Sequence, residues 1–326
     1  MAIRTERMFN NYSFYNQSLS EEFESIMKNR KYIIITVSVA VILGTTAFGI
    51  FKRTKPDEPK YPQSYAKLLA IPDAELAQLD IAVVNLLCAQ GLSGSENLDI
   101  EASIKILDEW AELMKQSEQK YSAGFFQNRK KYNNSYAMFQ AVNLGLTLKE
   151  DLKCRYNQEL VDFGVMEDIQ STRFFKDSRD IFIHGFTEKQ TGSCSFLPVL
   201  MVTIGRRCGY PLYLVPCKGH LFCRWDDGKE RFNIETACPG VDSKPDSYYM
   251  RWPHPSSHAE IQSEKYLKSL MPREELGLFF DLRGACLQSN QQFFEAIESY
   301  NCALKSFPES KYIRNSLAQS SSKMKF

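Results

Sequence analysis

The chain has 326 residues, with 40 Lys and Arg against 39 Asp and Glu and a formal net charge of +1. That balance removes any electrostatic case for a nucleic-acid partner, while 22 Phe and 16 Tyr supply a substantial core. The length fits one large or two modest domains, and nine cysteines without regular spacing read as reduced thiols rather than a disulfide framework.

Residues 1–31 are polar, mixed in charge and rich in Asn and Ser, which predicts a flexible tail. Residues 32–51 carry no charge and are dominated by Ile, Val, Ala and Thr, long enough for a single-pass transmembrane helix. A cleavable signal peptide fits less well, because the apolar run begins late and the small-residue stretch at Thr45 to Ala47 is a poor cleavage site. Basic residues bracket the run almost evenly (Lys28, Arg30 and Lys31 before, Lys52, Arg53 and Lys55 after). Arg4 and Arg7 tip the count toward an N-terminus inside, with the remaining chain on the extracytoplasmic side; the thiol content pulls the other way. Residues 52–63, KRTKPDEPKYPQ, form a Pro- and Lys-rich linker.

From Ser64 to about Gly164 the apolar spacing is helical. Pro72-Asp73 opens a helix whose stripe of Leu76, Leu79, Val83 and Leu86 or Leu87 ends near Gly91. Asp99 starts a second helix, with Ile104, Leu107, Ala111 and Met114 on one face and Trp110 beside it. Asn134-Ser135 caps a third, through Met138, Phe139, Val142, Leu146 and Leu148. The basic run Asn128 to Lys131 reads as a solvated helix end.

The chemistry gathers between Thr191 and Glu235. Gly192-Ser193-Cys194 opens a helix carrying Leu197, Leu200, Met201 and Ile204, which Gly209-Tyr210-Pro211 stops. Three strands follow: Leu212–Val215, Leu221–Trp225 and Glu230–Glu235, the last two joined through Asp226-Asp227-Gly228. Cys194 would sit at a helix N-terminus, where unpaired N–H groups and the dipole favour a thiolate. His220 starts the second strand after the Lys218-Gly219 turn. Asn233 and Glu235 are two apart and share a face, so either could orient His220. A thiol, an imidazole and a polar orienter are the requirements of nucleophilic cysteine catalysis. The competing chemistry is a zinc site from Cys217, His220, Cys223 and Cys238, with His254 and His258 beyond; but His220 and Cys223 are three apart on a strand and face opposite sides, which argues against it. No metal or organic cofactor is expected. His184, ten residues before Cys194, is expected to be structural.

In this order of elements the chain resembles the transglutaminase-like branch of the papain-like cysteine enzymes. More narrowly, it resembles bacterial transglutaminase-like proteins with a C-terminal tetratricopeptide-like tail. The segments that carry the resemblance are Asp177-Ser178-Arg179-Asp180 with Ile183-His184-Gly185, Gly192-Ser193-Cys194-Ser195, Gly205-Arg206-Arg207 with Gly209-Tyr210-Pro211, Lys218-Gly219-His220, and Arg231-Phe232-Asn233-Ile234-Glu235. They span roughly Leu79 to Pro308. The family uses a Cys–His–Asp triad. The resemblance therefore implies Cys194 as nucleophile, His220 as base and Glu235 in the place of the Asp, with Asn233 as the alternative orienter. Papain-like enzymes also place a Gln before the nucleophile as an oxyanion donor; Gln190 is nearby, at a different spacing.

Thr236 to His258 is Pro-rich and aromatic, and reads as a loop along a substrate cleft. Gly284, Ala296, Tyr300, Ala303 and Pro308 fit the spacing of one tetratricopeptide repeat, which needs a neighbour to bury its face. The expected fold is α+β. It comprises a papain-like or transglutaminase-like domain over 64–271 (helical half 64–180, core 181–271), an N-terminal transmembrane helix and a C-terminal helical hairpin over 272–326. The expected function is a membrane-anchored cysteine peptidase, amidase or acyltransferase acting on a peptide or protein through a thioester. The alternative is a catalytically silent scaffold that binds a protein partner through the same cleft and the tail.

Overall fold

A computed structural model describes residues 61–160, 174–236 and 242–324. The tail, the segment over 32–51 expected to cross a membrane, nearly all of the linker and Cys238 lie outside the described residues. Among the described residues no helix is long and apolar enough to cross a membrane.

The described chain is mixed α+β, mainly helical, with two small sheets. Two short helices, α1 (Tyr65–Leu68) and α2 (Asp73–Leu76), precede α3 (Ile81–Ala89). The single helix expected from Pro72 onward is therefore two. The Asp80 side chain accepts the Ala82 N–H and caps a new start. Every residue of α3 is buried, so it runs through the core instead of lying on it with one face. Each of its fully enclosed Leu, Ile and Val side chains contributes about 1.5–3 kcal/mol of burial.

Helix α4 (Ile100–Gln127) begins at Asp99, whose carboxylate accepts from Ala102 N. Its buried face includes Ile104, Leu107, Ala111 and Met114, as the spacing implies. Ser135 caps α5 (Tyr136–Leu146) through Met138 N. The basic run after α4 is an exposed 3-10 turn over Arg129–Tyr132.

Two-residue strands β1 (Arg155–Tyr156) and β2 (Thr191–Gly192) pair in parallel, with Tyr156 opposite Gly192. Helix α6 (Phe196–Arg207) follows and ends before Gly209, which takes φ +81°. Strands β3 (Leu212–Cys217), β4 (His220–Asp226) and β5 (Arg231–Ile234) form an antiparallel sheet in that order. Cys217 pairs with His220 across the two-residue Lys218-Gly219 turn, where Gly219 takes φ +78°. The second turn is held by the Asp227 carboxylate, which accepts from Lys229 N and Glu230 N.

The sheet is buried on both faces. Leu212, Leu214, Leu221, Cys223, Trp225 and Ile234 join the main core with α6, while Val215, Cys217 and Phe222 pack under Tyr249 and Trp252. The aromatic segment expected as a loop holds one short helix, α7 (Asp246–Tyr249), and runs into a second, α8 (His258–Ser263).

Three helices complete the chain: α9 (Pro272–Ser289), α10 (Phe293–Ser306) and α11 (Lys311–Lys323). α9 and α10 form the expected hairpin, with Ala296, Tyr300 and Ala303 buried in it. A Cβ on Gly284 would lie 2.6 Å from the Tyr300 ring, so a glycine is needed at this crossing. α9 is fastened to the rest of the fold by one ion pair and by guanidinium bonds to backbone carbonyls. Arg206 on α6 grips Glu275 with two bonds of 3.0 and 2.6 Å, and Arg283 donates to the carbonyls of Cys88 and Gln90 at the end of α3. The residues after Glu309 form α11, whose first amides are capped by Ser310 and Glu264.

Candidate active site

Cys194 lies one residue before Ser195, the N-terminal cap of α6, and is half-buried against the main core. Its loop is tied down on both sides. Ser193 N donates to the Asp180 carbonyl at 2.8 Å, and the amides of Phe196 and Leu197 close back on the Ser193 carbonyl. The Asp180 side chain accepts from Asn157 Nδ2 at 3.0 Å and from Lys189 Nζ at 3.1 Å. Asp180 thus joins the β1 segment, the cysteine loop and the Asp177–Lys189 charge cluster at one point.

His220 opens β4, immediately after the Lys218-Gly219 turn, and is buried. Its Nε2 lies 2.8 Å from Glu235 Oε2, and its ring interacts with Cys194. Burial alone would lower the basicity of this imidazole. The hydrogen bonds to Cys194 and Glu235, with their charges, outweigh it and raise the pKa to about 10. The site therefore holds an imidazolium between a sulfur and a carboxylate through the neutral range.

Glu235 is buried at the end of β5, and its amide bonds to the Asp242 carbonyl. The hydroxyl of Tyr249 donates to Glu235 Oε2 at 3.1 Å. Burial, then the Glu235 charge, pushes the Tyr249 phenol up, so it stays protonated and donates. Tyr249 is fully enclosed and stacks on Phe222 at 3.8 Å between ring centroids. Trp252 stands edge-on to the imidazole at 4.8 Å. These aromatic groups lie in the segment expected to flank a cleft, and Tyr249 is a direct partner of the carboxylate that sequence reasoning did not single out.

Asn233 shares the His220 face of the sheet but has other partners. It pairs across the ladder with Arg224, accepts from Arg224 Nε at 2.8 Å, and donates to Lys244 O and Asp246 Oδ1 at 2.9 and 2.7 Å. The carboxylate two residues on is the group at the imidazole. Gln190 is exposed, takes φ +53°, and uses its carbonyl to accept from Arg155 N in the β1–β2 pairing. Tyr156, opposite Gly192 in that pairing, lies close enough to Cys194 to feel its charge. Nothing in the sequence pattern signals Tyr156, because a two-residue parallel bridge has no periodicity to read.

His184 is buried away from this chemistry, with Nε2 3.2 Å from Ser178 Oγ and 3.3 Å from the Gly94 carbonyl. Burial lowers its pKa to about 4. Cys217 is buried beneath the Trp252 segment with its sulfur 3.8 Å from the Trp252 carbonyl, and Cys223 points to the opposite face, where its thiol donates to the Pro198 carbonyl at 3.3 Å. Among the described residues no three His, Cys, Asp or Glu groups converge as a metal site.

Comparison with protein-family models, with curated proteins and with solved structures finds no match for this chain.

Proposed function

We propose that this chain is a cysteine-dependent acyl-transfer enzyme of the transglutaminase-like type, acting on an amide or peptide carbonyl. The observation that carries the reading is the buried His220 imidazole, 2.8 Å from the Glu235 carboxylate and interacting with the half-buried Cys194 thiol. Cys194 attacks the carbonyl carbon while its proton resides on His220. His220 then gives that proton to the departing amine, and a thioester remains. Glu235 keeps the ring aimed and charged, and Tyr249 holds Glu235. Water resolves the thioester in a hydrolase; a second amine resolves it in an acyltransferase. The α9–α10 hairpin is of tetratricopeptide type in this reading and acts as a docked buttress that can also take a protein partner. Residues 32–51 anchor the chain in a membrane.

The test is alkylation of the full-length chain by iodoacetamide across pH, with the labelled thiols assigned by peptide mass spectrometry. Rapid labelling of Cys194 at mildly acidic pH, abolished in His220→Ala, is the expected result. Cys194 labelling no faster than the half-buried Cys208 and Cys302, and indifferent to His220, would sink the enzyme reading and leave a binding scaffold in its place.

A further inference from the structure

Charge is nearly balanced over the whole chain, but it is not evenly spread. Between Glu118 and Glu150 there is no Asp or Glu, while the same stretch carries Lys120, Arg129, Lys130, Lys131 and Lys149. Glu118 itself is occupied: it accepts from the Tyr136 hydroxyl at 3.0 Å, Gln140 Nε2 at 2.8 Å and the Tyr210 hydroxyl at 2.6 Å. All of these cations but Lys149 fall between the last turns of α4 and the start of α5.

That junction is a knuckle with a fixed backbone. Asn128 N donates to Gly124 O at 3.1 Å, and Asn134 N reaches back to Arg129 O at 2.9 Å. Asn133 and Asn134 both take left-handed backbone, φ +52° and +62°, which turns the chain from the 3-10 turn into α5. Phe125 and Phe139 are buried within the knuckle, with ring centroids 5.6 Å apart. Phe126, by contrast, is 59 % exposed. The Arg129 guanidinium lies over its ring at 5.1 Å, and Lys120, Lys130 and Lys131 are exposed as well. A large apolar ring and a group of cations therefore reach solvent together.

A helix end that only keeps itself in solution mixes both signs of charge and leaves few large rings outside. This one does neither. Cations around an exposed ring, with no carboxylate among them, complement an anionic lipid surface. The ammonium and guanidinium groups meet headgroup phosphates while the ring enters the interfacial layer. A nucleic acid fits less well. Its bases stack on open aromatic faces, whereas Arg129 already lies over Phe126 and Tyr136 lies within 24° of parallel to it. We propose that the α4–α5 knuckle, through Phe126, Lys120, Arg129 and Lys130, docks on the surface of an anionic bilayer. This docking requires neither the thiol chemistry nor an anchor at 32–51.

The test is a lysine footprint of the full-length chain, mixed with vesicles of phosphatidylcholine alone or of phosphatidylcholine with phosphatidylglycerol. The N-hydroxysuccinimide ester of acetic acid acylates each accessible amine and releases N-hydroxysuccinimide; peptide mass spectrometry reads the extent at each lysine. Any membrane contact made by 32–51 is common to both lipids. Lys268, before α9 and with a side chain 55 % exposed, is the internal reference. Each basic group at an anionic surface favours the bound state by about fivefold. Labelling of Lys120 and Lys130 relative to Lys268 should slow by about fivefold or more in the anionic vesicles. Added salt should reverse the effect, and both Phe126→Ser and Arg129→Gln should reduce it. Equal labelling in the two lipids would overturn the proposal, as would protection indifferent to both variants, which places the contact elsewhere on the chain. Stronger protection by a single-stranded oligonucleotide than by the anionic vesicles would replace the bilayer with a nucleic acid.

Discussion

His220 Nε2 lies 2.8 Å from Glu235 Oε2, while Asn233, two residues earlier on the same face, is held by Arg224. Of the two polar groups that β5 offers on this side, only the carboxylate is left to the imidazole. Glu235→Gln retains a hydrogen-bond partner and removes the charge. It should lower the His220 pKa and slow Cys194 alkylation near neutrality by roughly tenfold or more, one pKa unit being worth a factor of ten. Asn233→Ala should reduce stability and leave the pH profile of alkylation where it was. A profile that moves with Asn233 and ignores Glu235 would reverse the assignment.

Arg224 is fully enclosed and makes bonds to Asn233, to the Leu267 carbonyl at 3.0 Å and to Asp246 at 2.6 Å. Removing it leaves the Asn233 and Leu267 acceptors without their donor, while Asp246, whose side chain is 44 % exposed, can turn to solvent. Arg224→Ala should cost about 1–3 kcal/mol, read as a lower urea midpoint, because buried acceptors are left unsatisfied. Arg224→Lys should recover little of this, since one ammonium cannot span the three directions that the guanidinium covers.

Two buried histidines act on stability from opposite sides. The folded-state pKa of His184 is about 4, below the ordinary 6.5, so its contribution is present above pH 6.5 and is lost as pH falls toward 4. That of His220 is about 10, so its contribution is present below pH 6.5 and is lost as pH rises through 10. Stability should therefore peak near pH 6.5. On the acid side the His184 loss between about pH 7 and pH 5 is about 2 kcal/mol. Urea midpoints across pH check this: His184→Gln should flatten the acid limb and His220→Gln the alkaline one.

In the C-terminal hairpin, a methyl group at Gly284 would meet the Tyr300 ring at 2.6 Å. Gly284→Ala should destabilise by about 1–3 kcal/mol through overpacking. Tyr300→Leu in the same chain should relieve part of that cost. Thermal unfolding of the two single variants and the double variant measures the coupling, and strict additivity would show that the two residues do not meet.

The site was partly legible because its pieces obey local rules. The period-two pattern and the two turns fixed β3, β4 and β5, and therefore the face shared by His220, Asn233 and Glu235. Asp99 and Ser135 announced their helices by their capping chemistry. Choosing between Asn233 and Glu235 required knowing that Arg224 stands across the ladder, which is a matter of tertiary pairing. The break at Asp80 was hidden because α3 is apolar on every side, so the stripe continues through it without a visible fault. Tyr249 looked like one aromatic among several. Its function depends on a fold-back of α7 over the sheet that no local spacing encodes. The β1–β2 bridge was the least visible, since two residues of parallel pairing leave no pattern at all.

That pairing has a consequence for how the molecule comes apart. His220 stands on a three-stranded sheet enclosed on both faces, whereas Tyr156 stands on a bridge of two residues. Local opening follows buried contact and hydrogen bonding, so the bridge belongs to the low end of the molecule's opening free energies. In hydrogen exchange the amides of Arg155 and Asn157 should trade with solvent well before those of Phe222 and Cys223. At denaturant concentrations where the sheet is still closed, a population should exist with the β1–β2 bridge open: folded by most criteria, with the segment leading into Cys194 released on one side.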